Sequence, residues 1–113
     1  MTFLFSRACP SNDEGLELLA RAGARVGLVL EVEQHEVTSD EEAERLEFRG
    51  SPSYLLGGSD LFPGDPEMPF RCDACRAYPR AGGRMGPLPP MEDLTEALRA
   101  ATGGAPEGAE RAA

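Results

Sequence analysis

Three cysteines carry most of the chemistry that this 113-residue chain offers. Cys9 is followed by Pro10 and lies between a short apolar run, Thr2-Phe3-Leu4-Phe5, and a helix start, Ser11-Asn12-Asp13-Glu14. The run reads as a buried strand. Ser11 precedes Glu14 by the spacing of a capping box. A cysteine at a strand-to-helix junction faces the outward amides at the start of the helix. Their partial positive charge favours the thiolate, which is the nucleophile and the metal ligand. Buried packing as a small hydrophobe is the plainer use of such a residue.

Cys72-Asp73-Ala74-Cys75 holds the other two thiols, at a spacing that suits a redox disulfide or half of a zinc site. No second Cys-x-x-Cys follows, and His35 is the one histidine. A closed tetrahedral site would need Cys9, Cys72, Cys75 and His35 to converge, so no resident metal or other cofactor is expected. His35 reads as a solvated residue near a strand end. The alternative use of Cys72 or Cys75 is as a partner thiol for Cys9, carried on a Pro/Gly-rich loop able to reach it. That requires the two α-carbons to come within about 7 Å.

The elements that must position these thiols follow from periodicity. A strand is expected over 2–6 and a helix over 11–24, with Leu16, Leu19, Ala20 and Gly23 on its buried face. A second strand is expected over 26–32, apolar at first and then alternating with acids. Ser39 and Glu42 form another candidate capping box, opening a short helix with Ala43 and Leu46 inward and an acidic, solvated face over 40–47. A hairpin is expected from 53–56 and 59–62, joined by Gly57-Gly58. Residues 63–90 are dominated by Pro and Gly, with one short extended piece around Arg76-Ala77-Tyr78. Pro89-Pro90 then introduces a last helix with Met91, Leu94, Leu98 and Ala101 on one face. The order β-α-β-α-β-β-α predicts an α/β domain over 1–102: a four-stranded mixed sheet, its first two strands parallel, with helices on both faces. Residues 103–113 are expected to be a disordered tail.

Composition bounds the partners. A net charge of −9 argues against nucleic acid and anionic membrane, both of which need a basic surface. No apolar run approaches the length of a membrane span, and the opening residues lack a signal-peptide pattern. An odd number of cysteines is unlike a secreted disulfide scaffold. The expectation is a cytoplasmic monomer.

The element order, the cysteine after the first strand and Gly50-Ser51-Pro52-Ser53 before the third resemble the thioredoxin-like superfamily. The closest likeness is to small bacterial members with Cys-Pro after strand one, an acidic stretch like Ser39 to Leu46, Gly-Ser-Pro, and Gly-x-Asp-x-Phe, here Gly58 to Phe62. Some of these are labelled possible selenoproteins and others are related by label to alkylmercury lyase. The resemblance implies a three-layer α/β/α fold, Cys9 as nucleophile and Pro52 as a cis-proline facing it. It also points to Cys75 over Cys72 as the second thiol, through the adjoining Arg76-Ala77-Tyr78. Cys9-Pro10-Ser11-Asn12 lacks the second cysteine of a dithiol reductase, so that cycle does not carry over at this position.

Strand geometry gives a separate reason to pair Cys9 with Pro52. If the third strand runs antiparallel to the first, its beginning lies beside the first strand's end. Pro52 also leaves neighbouring backbone free to pair with an extended substrate. The expected function is thus that of a thiol-disulfide oxidoreductase or thiol-based redox protein. Cys9, Cys75 and Cys72 carry the chemistry, and Pro10, Ser51 and Pro52 shape the groove. The partner is a thiol or disulfide, such as glutathione or a protein. The alternatives are a thiolate module for mercury, zinc or copper(I), and a non-catalytic adaptor. Arg49 and Asp60 read as a helix-end cation and a turn cap.

Overall fold

Alternation along the first strand decides which residues face which layer. A computed structural model of the chain describes residues 1–62 and 67–102; the expected tail at 103–113 lies outside them. Strand β1 (Thr2–Phe5) sends Phe3 into one apolar cluster and Leu4 into another. Phe3 meets Leu19 and Ala22 of helix α1 (Asn12–Arg25), Tyr54 of β3 (Ser53–Leu56), and Leu94 and Leu98 of α3 (Met91–Ala101). Leu4 meets Val37, Phe48 and Ala43 of α2 (Asp40–Leu46). Two helices therefore cover one face of the sheet and the third covers the other. With β2 (Glu33–Glu36) and β4 (Ser59–Asp60), the sheet has four strands in the order β2-β1-β3-β4. Strands β1 and β2 are parallel, and β3 is antiparallel to both β1 and β4.

The second strand is not where the apolar run predicts it. Strand β2 is Glu33–Glu36, whereas Val26 caps the end of α1 and Val29 is fully exposed. The reason lies in the turn that follows α1. Gly27 has φ +74°, and Leu28 N donates to Gly23 O at 2.8 Å, which folds the chain back on the helix. Leu30 then packs so closely on Gly23 that an added Cβ there would meet its Cδ1 at 2.9 Å. Val26, Leu28 and Leu30 thus pack into the cluster around α1 instead of forming a strand. The chain pairs with β1 only afterwards, through an edge strand whose acidic residues also guard it against pairing with another chain.

Smaller expectations are corrected in the same way. Ser11 stands at the α1 N-cap but makes no side-chain cap hydrogen bond. The buried face of α1 is Gly15, Leu19, Ala22 and Gly23, leaving Ala20 exposed, and Ala101 is exposed at the end of α3. Ser39 does cap α2, accepting from Glu42 N at 3.1 Å. The return arm is displaced by one residue: Glu42 Oε1 accepts from Thr38 N (2.9 Å), and Glu42 Oε2 pairs with His35 Nε2 (2.8 Å). These contacts, Thr38 first, hold the Glu42 carboxyl below its usual range. The 40–47 face is therefore not wholly solvated, and His35 is bound to it.

The β3–β4 hairpin turns at Gly57 and Gly58, both at positive φ (63° and 84°), as two-residue hairpins favour. Strand β4 is shorter than expected because Leu61 and Phe62 leave it to join the core around Tyr54. The Pro/Gly-rich segment holds a second, two-stranded ribbon of β5 (Tyr78–Pro79) and β6 (Met85–Gly86). Among the described residues, no helix is long and apolar enough to cross a membrane.

Candidate functional site

The antiparallel pairing of Leu4 with Ser53 brings the start of β3 beside the end of β1. Ser51 precedes β3 by two residues, and Cys9 follows β1 by four. Cys9 Sγ donates to Ser51 O at 3.4 Å, and the Ser51–Pro52 peptide is cis. A tight turn holds the cysteine, with Cys9 N donating to Ser6 O at 3.1 Å.

Asn12 was not legible as a site residue, yet it ties the two loops together. Its Nδ2 donates to Ser6 O (2.7 Å), and its Oδ1 accepts from Ser51 Oγ (2.6 Å). It stands three residues after Cys9, where a Cys-x-x-Cys site would carry its second thiol. Here that position clamps instead of reacting. Two tyrosines back the loop. Tyr78 donates to Pro52 O at 2.6 Å, and Tyr54 donates to Gly15 O at 3.0 Å. Burial pushes both phenols above their usual range, so both remain neutral donors.

Residues 74–76 run alongside Ser51 in a parallel bridge centred on Cys75. Ser51 N donates to Ala74 O and Arg76 N donates to Ser51 O, both at 2.9 Å. Gly50 makes this possible. At φ +142° it lies so close that a Cβ would meet Arg76 N at 2.7 Å and Cys75 C at 2.9 Å. Arg76 anchors the segment from the other side. Its buried guanidinium donates to Ser53 Oγ (2.9 Å), Asp60 Oδ2 (2.9 Å) and Phe62 O, and lies 4.9 Å from the Tyr78 ring centroid. Asp60 also caps the turn, its Oδ1 accepting from Phe62 N at 2.8 Å. The expected turn cap is thus also one half of an ion pair that the spacing did not reveal.

This anchoring sets Cys75 against Cys9. Burial raises the Cys75 thiol above its usual range, and a hydrogen bond to Cys9 and charge at Cys9 raise it further. The residue as a whole is exposed. In Cys9→Ala the last two causes vanish while burial persists. The pH midpoint of Cys75 alkylation, followed by mass spectrometry, is expected to fall but to stay above that of an unstructured cysteine.

Cys72 is placed elsewhere. Its N–H donates to Asp40 Oδ1 at 3.0 Å, and this bond is the first cause of a lowered Asp40 carboxyl. Burial, and then the hydrogen bond to Asp40, raise the Cys72 thiol. Among the described residues, a group of ligand atoms close enough to share an ion comprises Asp40, Cys72 and Asp73, all outside the Cys9 loop. The structure does not gather Cys9, Cys72, Cys75 and His35 into one cluster. Arg49 stacks on the Phe70 ring, 4.5 Å from its centroid, and is not a cation aimed at Cys9.

Cys9 and Cys75 line one cleft of about 300 Å3, walled by Pro10, Ala77, Met85 and Pro87. Pro10 thus belongs to the open cleft, and Ser51 and Pro52 to the loop behind it. A buried cysteine reached through a cleft, with a second thiol at its side, can exchange disulfides or chelate a thiophilic atom. Comparison with known protein families, with curated proteins and with solved structures finds no match for this chain.

Proposed function

We propose that this protein is a thiol-disulfide exchange protein of thioredoxin-like architecture. Cys9 is its nucleophile and Cys75 its resolving thiol. The observation that carries the reading is that Cys9 and Cys75 line one cleft on either side of Ser51, which is bridged to Cys75 and accepts from Cys9 Sγ, beside the cis Ser51–Pro52 peptide. The strand order β2-β1-β3-β4 with helices on both faces supports the architectural part.

The Cys9 sulfur, once deprotonated, attacks one sulfur of a disulfide and expels the other as a thiolate, which takes up a proton. Cys75 then gives up its own proton and attacks the Cys9 sulfur of the mixed disulfide. The second substrate thiol leaves, and Cys9–Cys75 remains as a protein disulfide. Two electrons pass from the protein dithiol to the substrate. The reverse sequence oxidises a dithiol.

Mild oxidation of the folded chain with diamide, followed by peptide mapping, tests this. The expected product links Cys9 to Cys75 and leaves Cys72 free, and dithiothreitol reverses it. A folded protein in which Cys9 forms no disulfide and no adduct overturns the proposal and favours a non-catalytic adaptor.

A further inference from the structure

Two properties of the Cys9 cleft restrict what it accepts. The main-chain edge in front of Pro52 is already used. Ser51 N and Ser51 O are both hydrogen-bonded to the chain's own residues, Ala74 and Arg76. An extended polypeptide pairing there would first have to strip off a segment pressed against Gly50 and anchored by a buried arginine. The same segment that delivers Cys75 to Cys9 therefore blocks this route for a protein substrate.

The opening that remains is small and apolar. At about 300 Å3 it is at the lower end of small-molecule sites. Arg76 is the one charged residue among its described lining, and that guanidinium is turned inward to Asp60, Ser53 and Phe62. Among the described lining residues no unpaired cation is placed to receive carboxylates, and the chain's net charge of −9 opposes an anionic ligand.

Building on the Cys9–Cys75 exchange proposed above, we infer that the site takes small, uncharged disulfides with short apolar arms, and neither extended polypeptides nor glutathione disulfide. One arm lies between Ala77, Met85 and Pro87 as Cys9 attacks the adjoining sulfur. The stoichiometry is one R–S–S–R and the protein dithiol giving two R–SH and the Cys9–Cys75 disulfide.

Single-turnover oxidation of the reduced, full-length protein by dipropyl disulfide, glutathione disulfide and insulin tests this. Each rate is divided by the same disulfide's rate with N-acetylcysteine, which removes differences in leaving-group reactivity. The normalised rate for dipropyl disulfide is expected to exceed that for glutathione disulfide by about 30-fold, as burial of a short alkyl arm would give. Insulin is expected to be slower still. Ala77→Phe fills the cleft from an exposed position and should cut the dipropyl rate by about tenfold, with the far-UV circular dichroism and melting temperature of the protein unchanged. Met85→Trp, also at an exposed position, is the second variant. A normalised rate for insulin or glutathione disulfide that equals or exceeds the dipropyl rate overturns the inference and leaves the exchange chemistry standing. So do two folded cleft variants with an unchanged dipropyl rate. If Cys9 exchanges with none of the three, the proposed function falls and this inference with it.

Discussion

Replacing Cys75 with serine is expected to halt the reaction halfway. Cys9 can still open a disulfide, so the first exchange should stay within a few-fold of the unaltered protein. The mixed disulfide then has no thiol at its side and must wait for one from solution. A group held in place by the fold acts at an effective concentration orders of magnitude above millimolar. Release with about 1 mM external thiol should therefore slow by at least about 100-fold. Mass spectrometry should show the protein with one substrate arm attached at Cys9. Cys72→Ser serves as the control, because Cys72 is held by Asp40 and is not at the Cys9 loop. Its release rate should match the unaltered protein. If Cys72→Ser traps the adduct and Cys75→Ser does not, the pairing of thiols proposed here is wrong.

The second large effect concerns the anchor. Arg76→Met keeps much of the side chain's bulk and removes its charge. Asp60 is then left as a carboxylate 21% exposed, without the guanidinium at 2.9 Å, and Ser53 Oγ and Phe62 O lose a donor. Breaking one side of a buried pair costs about 3–5 kcal/mol, and the partial exposure of Asp60 places this case near the lower end. A domain of this size has about 5–15 kcal/mol in all, so the melting temperature should drop by about 15 °C or more. Circular dichroism measures the drop. Alkylation of Cys75 should accelerate in the variant below its melting point, because the segment that holds it against Ser51 has lost its tie. A loss under about 1 kcal/mol would mean that the pair is worth no more than an exposed salt bridge.

Much of the local structure was legible because it depends on neighbours in the chain. The helical spacing of α1, the Ser39 cap of α2, the paired glycines of the hairpin and the proline before α3 are each satisfied within a few residues. The strand over 26–32 was misplaced for the opposite reason. An apolar run shows that burial is needed but not against what, and here helix α1 took those side chains before β1 did.

Pattern marked Cys9, Cys72 and Cys75, because a thiol is conspicuous wherever it stands, whereas Pro52 and the preference for Cys75 over Cys72 came from the resemblance to thioredoxin-like proteins. Their arrangement came from contacts that no local rule contains. Asn12 reaches Ser51 across 39 residues, and Arg76 reaches Asp60 across 16. Both look like ordinary polar residues in the one-dimensional chain, one in a helix start and one in a loop. Folding makes them structural, because the sheet brings the β1 and β3 ends together and leaves buried polar groups that must find partners there. For the same reason Ser51, which in the chain looks open to a substrate, is closed by residues 74–76 once the fold has formed.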